Sequence, residues 1–191
     1  MRPKPRLTQP ADSRLNRKQR AMRDAIIASR PGLKKLGGPF AVWLHAPEFG
    51  DLAQRLGAHC RYKTSLPARL SEFAILTMAR LWRAQYEWTA HAPLAERAGV
   101  SPRVIADLRA GRYPKGAPPD ERAIYDFIVE LHRRKRVSDR AYRRVLSHLD
   151  RRSLVELVGI LGYYTLVSMS LNVFNISVDP PQRPPFAEPA S

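Results

Sequence analysis

The chain of 191 residues has one cysteine, Cys60. A lone thiol closes no intramolecular disulfide and builds no cysteine-rich zinc site, so a reducing, cytoplasmic compartment is expected. Acidic residues are scarce: 17 Asp and Glu face 33 Lys and Arg, a formal charge of +16 with neutral histidine. Such a field favours nucleic acid, an anionic membrane surface or a small anionic substrate, and composition alone does not choose among them. No apolar–polar alternation runs long enough for a strand, and no period of 20 to 50 residues marks a solenoid. A glycine-rich phosphate loop is missing, as is a charged, apolar, small-residue leader. No set of His, Cys and carboxylates has metal-ligand spacing, so no metal and no cofactor is inferred.

What is present is ordinary globular composition, 44% hydrophobic and 26% charged, enough for one core. Prolines and basic residues mark an N-terminal arm at 1–15, and five prolines mark a tail at 179–191. Both are predicted to be extended and able to drape over a neighbouring subunit. The domain between them, 16–178, is predicted to be all-α. Asn16 caps a helix running to Ser29, 40–45 forms a short one, and Pro47 starts one that ends near Gly57. Pro67 opens a helix to Leu81 with little polar surface, and another follows over 84–98. Ser101, Asp120, Ser138 and Asp150 are predicted to cap the later helices, the last of which reaches Asn175.

Residues 154–174 are long and apolar enough to span a bilayer. Glu156, Asn172, three hydroxyl residues and the mid-segment pair Tyr163 and Tyr164 argue against that, since interfacial aromatics belong at the ends of a span. The segment is read instead as a helix buried partly in its own core and partly in a subunit interface, with Gly159 and Gly162 allowing close approach. A homo-oligomer outside the membrane is therefore expected.

Two motifs compete for function. Residues 94–112, LAERAGVSPRVIADLRAGR, have the grammar of a helix-turn-helix. The exposed face of its second helix offers Arg103, Asp107 and Arg109, while Ala106 and Ala110 read no base. DNA or polyanion binding is the weaker alternative. The other motif is Glu72 with Glu87 and His91. Glu87 and His91 are i and i+4, so on a helix they share a face, and a carboxylate beside an imidazole orients the ring and raises its pKa. Glu72 lies one apolar helix earlier, where a lone carboxylate needs a partner. Packing of the two helices would bring Glu72 to the same pocket. Trp82, Tyr86 and Trp88 flank the motif in sequence.

At these residues the sequence resembles the carboxymuconolactone decarboxylase family of the alkylhydroperoxidase D-like superfamily. The likeness runs through LGGPFAVWLHAPEF, LGAHCRYKTSLPARLSEFAIL, RAQYEWTAHAPLAERAGVS and the segment 137–172. The superfamily's thiol peroxidases carry a glutamate, two cysteines three apart and a histidine. Glu72 and His91 fall at the first and last of these positions, but Ala84 and Glu87 stand where the cysteines would be. The resemblance therefore implies the non-thiol, decarboxylase-like branch: an all-helical trimer or hexamer acting as a carbon–carbon lyase on a small lactone carboxylate. It implies His91 as acid/base, Glu87 or Glu72 as its orienter, Arg80 or Arg83 as contacts for the anionic substrate, and Tyr86 and Trp88 as pocket walls. A family member with lost or changed activity stays open beside the enzyme and the polyanion binder.

Overall fold

In the computed structural model, which describes residues 4–30, 32–178 and 182–187, the described residues form nine α-helices and no strand. They are α1 (Arg17–Ala28), α2 (Pro39–Trp43), α3 (Pro47–Tyr62), α4 (Ala68–Leu81), α5 (Gln85–Arg97), α6 (Pro102–Arg109), α7 (Pro119–Arg134), α8 (Asp139–Leu146) and α9 (Arg151–Val173). The polar residues ahead of each helix explain several starts. Asn16 accepts from the Gln19 backbone while the Gln19 side chain accepts from the Asn16 N–H, a reciprocal cap. Ser138 and Asp150 likewise accept from Ala141 and Ser153.

Three expectations are corrected. α3 does not stop at Gly57 but runs on to Tyr62. The glycine is there for space, because a Cβ at that position would collide with the Tyr163 hydroxyl. Asp120 is not a cap: α7 starts from Pro118, and Asp120 lies inside its first turn. Ser101 precedes α6 without a side-chain capping bond.

α4 occupies the centre, packed against α5, α6, α7 and α9. Phe73, Ala74, Ile75, Leu76 and Ala79 are fully buried, so almost every face of the helix meets apolar neighbours. Its first turn is tied to α7 by Arg69, whose guanidinium forks between Asp120 and Glu121. Glu121 is only 1% exposed. Burial pushes its carboxyl up and Arg69 pulls it back down. Removing the cation strands a buried carboxylate, which generally costs more than the pair contributes. Arg69→Met is therefore expected to lower stability by about 2–3 kcal/mol, allowing for the partial exposure of Arg69. Urea unfolding checks this, and an unchanged midpoint would show that the fork is dispensable.

α9, the apolar segment of spanning length, packs on α2, α3, α4, α5 and α8. Leu157, Ile160 and Leu171 are fully buried, whereas Val155, Val158, Met169 and Val173 are exposed. Among the described residues, nothing comes within 4 Å of where a Cβ at Gly159 or Gly162 would stand.

Both ends lie against the helical body. Arg6 bonds the Val173 and Phe174 carbonyls beyond α9. In the tail, Phe186 exchanges two hydrogen bonds with the Gln85 side chain and packs edge-on against Trp88. The remaining parts of the arms, 1–3, 179–181 and 188–191, lie outside the described residues.

Candidate acid–base site

The spacing of Glu87 and His91 does on α5 what helical geometry requires: the carboxylate reaches the ring one turn on, with Glu87 Oε1 2.9 Å from His91 Nε2. α4 packs along α5 and delivers Glu72 to the other side of the ring, 2.7 Å from Nδ1. The imidazole is thus bridged by two carboxylates; His91 and Glu87 are buried, and the Glu72 side chain is 12% exposed. The Tyr164 hydroxyl lies 3.4 Å from Nε2, and its ring meets the imidazole edge-on.

Burial alone would lower the pKa of His91, but the charge of Glu87 and hydrogen bonds to Glu72 and Glu87 outweigh it and raise the value to about 9. At neutral pH the ring is an imidazolium, with both N–H groups donating to carboxylates. It is poised as a proton donor. The neighbouring phenols of Tyr163 and Tyr164 are pushed up, first by burial and then by Glu87, so they keep their protons.

A cavity of about 320 Å³ opens onto this group. Glu87, His91, Tyr163 and Tyr164 line it, together with Arg30, Phe40, Arg61, Tyr62 and Tyr86 among others. Glu72 is not part of the lining. The roles of the two carboxylates therefore separate: Glu72 holds the ring from behind, and Glu87 faces whatever the cavity contains. Two glycines make the room. Gly57 accommodates the Tyr163 hydroxyl, and Gly38, at φ +56°, lets the Tyr86 ring lie against the backbone.

Apart from Tyr86, the flanking residues singled out from sequence lie elsewhere, as do His45 and His59. Arg80 donates to the Arg109 carbonyl and stacks on Phe186, outside the cavity. Arg83, in the αα turn with φ +51°, donates to the Ala187 carbonyl. Trp88 is buried against Phe186, and Trp82 meets His132 edge-on. Of the four flanking candidates Arg80, Arg83, Tyr86 and Trp88, Tyr86 lines the cavity. His45 bonds the Thr8 carbonyl, and His59 is exposed. In the helix-turn-helix segment, Asp107 pairs with Arg112 and Arg109 donates to the Pro185 carbonyl. Cys60 is buried on α3, and burial pushes its thiol up, away from the reactive thiolate. Among the described residues no group of three or more His, Cys, Asp or Glu is arranged to hold a metal ion.

Arg30, Arg61, Tyr62, Tyr163 and Tyr164 are the site neighbours that spacing did not reveal. Nothing distinguishes two arginines among 33 basic residues in one dimension. The one available signal was the adjacent tyrosine pair inside an apolar helix, where two hydroxyls need polar company.

Comparison with known proteins places this geometry in context. Residues 47–130 match the sequence profile of the carboxymuconolactone decarboxylase family. A solved structure from Ralstonia eutropha, described as an alkylhydroperoxidase AhpD core and an uncharacterized peroxidase-related protein, superposes with a TM-score of 0.78. The two are 17% identical, and the match covers 94% of this chain and 95% of that one. The likeness is one of fold. No curated protein matches the chain in sequence.

Proposed function

We propose, from the match of residues 47–130 to the carboxymuconolactone decarboxylase family, that the chain is a carbon–carbon lyase using the Glu72–His91–Glu87 group on a small carboxylate or lactone. The observation that carries this reading is the imidazolium held between two carboxylates at the wall of a cavity. Loss of CO2 leaves an electron pair on carbon, which must be delocalised and then protonated. A ring that is cationic at neutral pH supplies the proton from Nε2, directly or through the Glu87 oxygen that faces the cavity. Glu72 fixes the ring plane and sustains its charge. The protonated phenols of Tyr163 and Tyr164 can donate to an oxyanion formed as the electron pair delocalises. The ring is reprotonated from solvent through the cavity mouth.

Dithiol peroxidase chemistry has no support in these residues. It needs an attacking and a resolving thiol, and the chain has Cys60 alone. The direct test is CO2 release from a panel of lactone carboxylates, run beside a peroxide-consumption assay. Peroxide turnover without decarboxylation would reverse the reading.

Assembly belongs to the same proposal. The outer face of α9 carries Val155, 72% exposed, with Val158, Met169 and Val173, and α3 presents Phe49, Leu52 and Leu56. Large apolar side chains exposed together on a helix face mark interaction sites. Homo-oligomerisation through α9, as a trimer or hexamer, covers it. Val158→Asp is expected to reduce the mass seen by light scattering to that of a single chain without changing the helical circular dichroism. A wild-type protein that is monomeric at all concentrations would sink this assignment.

A further inference from the structure

The cavity wall contains a buried cation that has no counter-ion among the described residues. Arg30 stands in the turn after α1 and is 6% exposed. Its guanidinium donates to Ser29 Oγ at 2.8 Å, Gln54 Oε1 at 3.0 Å and the Gln54 carbonyl at 2.9 Å, and it lies 4.6 Å from the centre of the Phe40 ring. Every one of these acceptors is neutral. The carboxylate next along, Asp51, accepts from Gln54 Nε2 but is ion-paired with Arg55. Among the described residues no carboxylate reaches Arg30. A buried charge is expensive unless it is paired, and the C-terminal end of α1 offsets only part of it.

A second arginine reinforces the first. Arg61 lines the same cavity, rests against the ring of Tyr62 at 5.4 Å and forms no ion pair among the described residues. Tyr163 lines the cavity with both groups: Glu87 pushes its phenol up, and Arg30 and Arg61 pull it down. The cavity is therefore lined both by the acid–base group and by two guanidinium groups without an ion pair among the described residues, with the rings of Phe40, Tyr62 and Tyr86 beside them.

We propose that Arg30, assisted by Arg61, is the anchor for the anionic group of the ligand, and that the ligand is a ring-bearing carboxylate whose flat body lies along the aromatic wall between Arg30 and His91. The guanidinium is pre-set by Ser29 and Gln54, so a carboxylate meets a fork already held in place. A cavity of about 320 Å³ suits a small ring compound. This inference rests on the cavity being the ligand site, and it moves the anion contact from the neighbourhood of α5 to a residue that precedes the family-matching segment.

The test uses the full chain with benzoate and its neutral isostere benzamide, following the ring C–H resonances of His91 by NMR. Wild type is expected to show saturable shifts with benzoate. Arg30→Met should weaken benzoate about 10- to 100-fold, the range for losing hydrogen bonds to a charged group, and leave benzamide unchanged. Arg30→Lys, which keeps the charge and loses the fork, should fall between, and Arg61→Met should weaken benzoate less. These two variants decide the matter if Arg30→Met does not fold. Equal benzoate affinity in wild type and the Arg30 variants would overturn the anchor while leaving the cavity as the ligand site. Failure of both probes to shift His91 in wild type would overturn the anchor and the ligand-site reading together.

Discussion

Replacing His91 with alanine is expected to reduce turnover by about 10²-fold or more, the usual range for a positioned acid or base, in a protein that still folds. The expectation follows from position. His91 lines the cavity, whereas Glu72 contacts it only through the ring. Glu87→Gln should cost a comparable factor, because it removes both the charge beside Nε2 and a carboxylate facing the ligand. Glu72→Gln should cost less and should instead move the acid-side and base-side limbs of the rate profile, since it weakens the support for the charged ring without touching the substrate. Cys60→Ser should leave activity nearly intact. Steady-state kinetics with melting temperatures measured in parallel separate catalysis from folding: full turnover in a well-folded His91→Ala protein would dismiss the acid–base assignment.

Folding stability should fall as pH rises between about 6.5 and 9. A histidine near 6.5 in the unfolded chain and about 9 in the folded one binds its proton more tightly when folded. Its contribution is fully present below the unfolded value and is lost as pH climbs through the folded one. The shift corresponds to about 3 kcal/mol, large beside typical domain stabilities of 5–15 kcal/mol. Other groups act outside this window or with opposite sign. The lowered pKa of His132, caused first by burial, adds stability with rising pH, and the raised tyrosines act only in more alkaline solution. Chemical denaturation across the range in wild type and His91→Gln isolates the effect. A wild-type curve that is flat over this interval, or a slope that the variant retains, would contradict it.

Much of this architecture was legible in one dimension. The all-helical class, the buried character of α4 and the caps at Asn16, Ser138 and Asp150 follow from apolar periodicity and local hydrogen-bonding chemistry, which sequence displays directly. The Glu87–His91 pair was legible for the same reason: one helical turn fixes it. Glu72 was reachable because an isolated carboxylate in an apolar helix demands a partner. The errors share a cause. Gly57 looked like a helix end because the tyrosine it accommodates lies more than a hundred residues later. Asp120 looked like a cap because Arg69, its partner, sits on another helix. Arg30 carried no signal, since what distinguishes it is the absence, among the described residues, of a counter-charge in three dimensions.

The site's parts come from two sources, and that has a consequence for how it can be altered. Glu72, Glu87 and His91 all lie within 47–130, on two consecutive helices joined by a short turn. Arg30, Phe40, Tyr163 and Tyr164, which shape and charge the cavity, lie outside that segment on both sides. On the proposed reading, proton delivery belongs to a helical hairpin, and much of the apparatus that selects what receives the proton is contributed by the flanks. On that reading the two can vary separately: exchanging residues in the turn after α1 or along α9 is expected to redirect the hairpin to a differently charged or differently shaped molecule while the distances from the imidazole to Glu72 and Glu87 stay as they are.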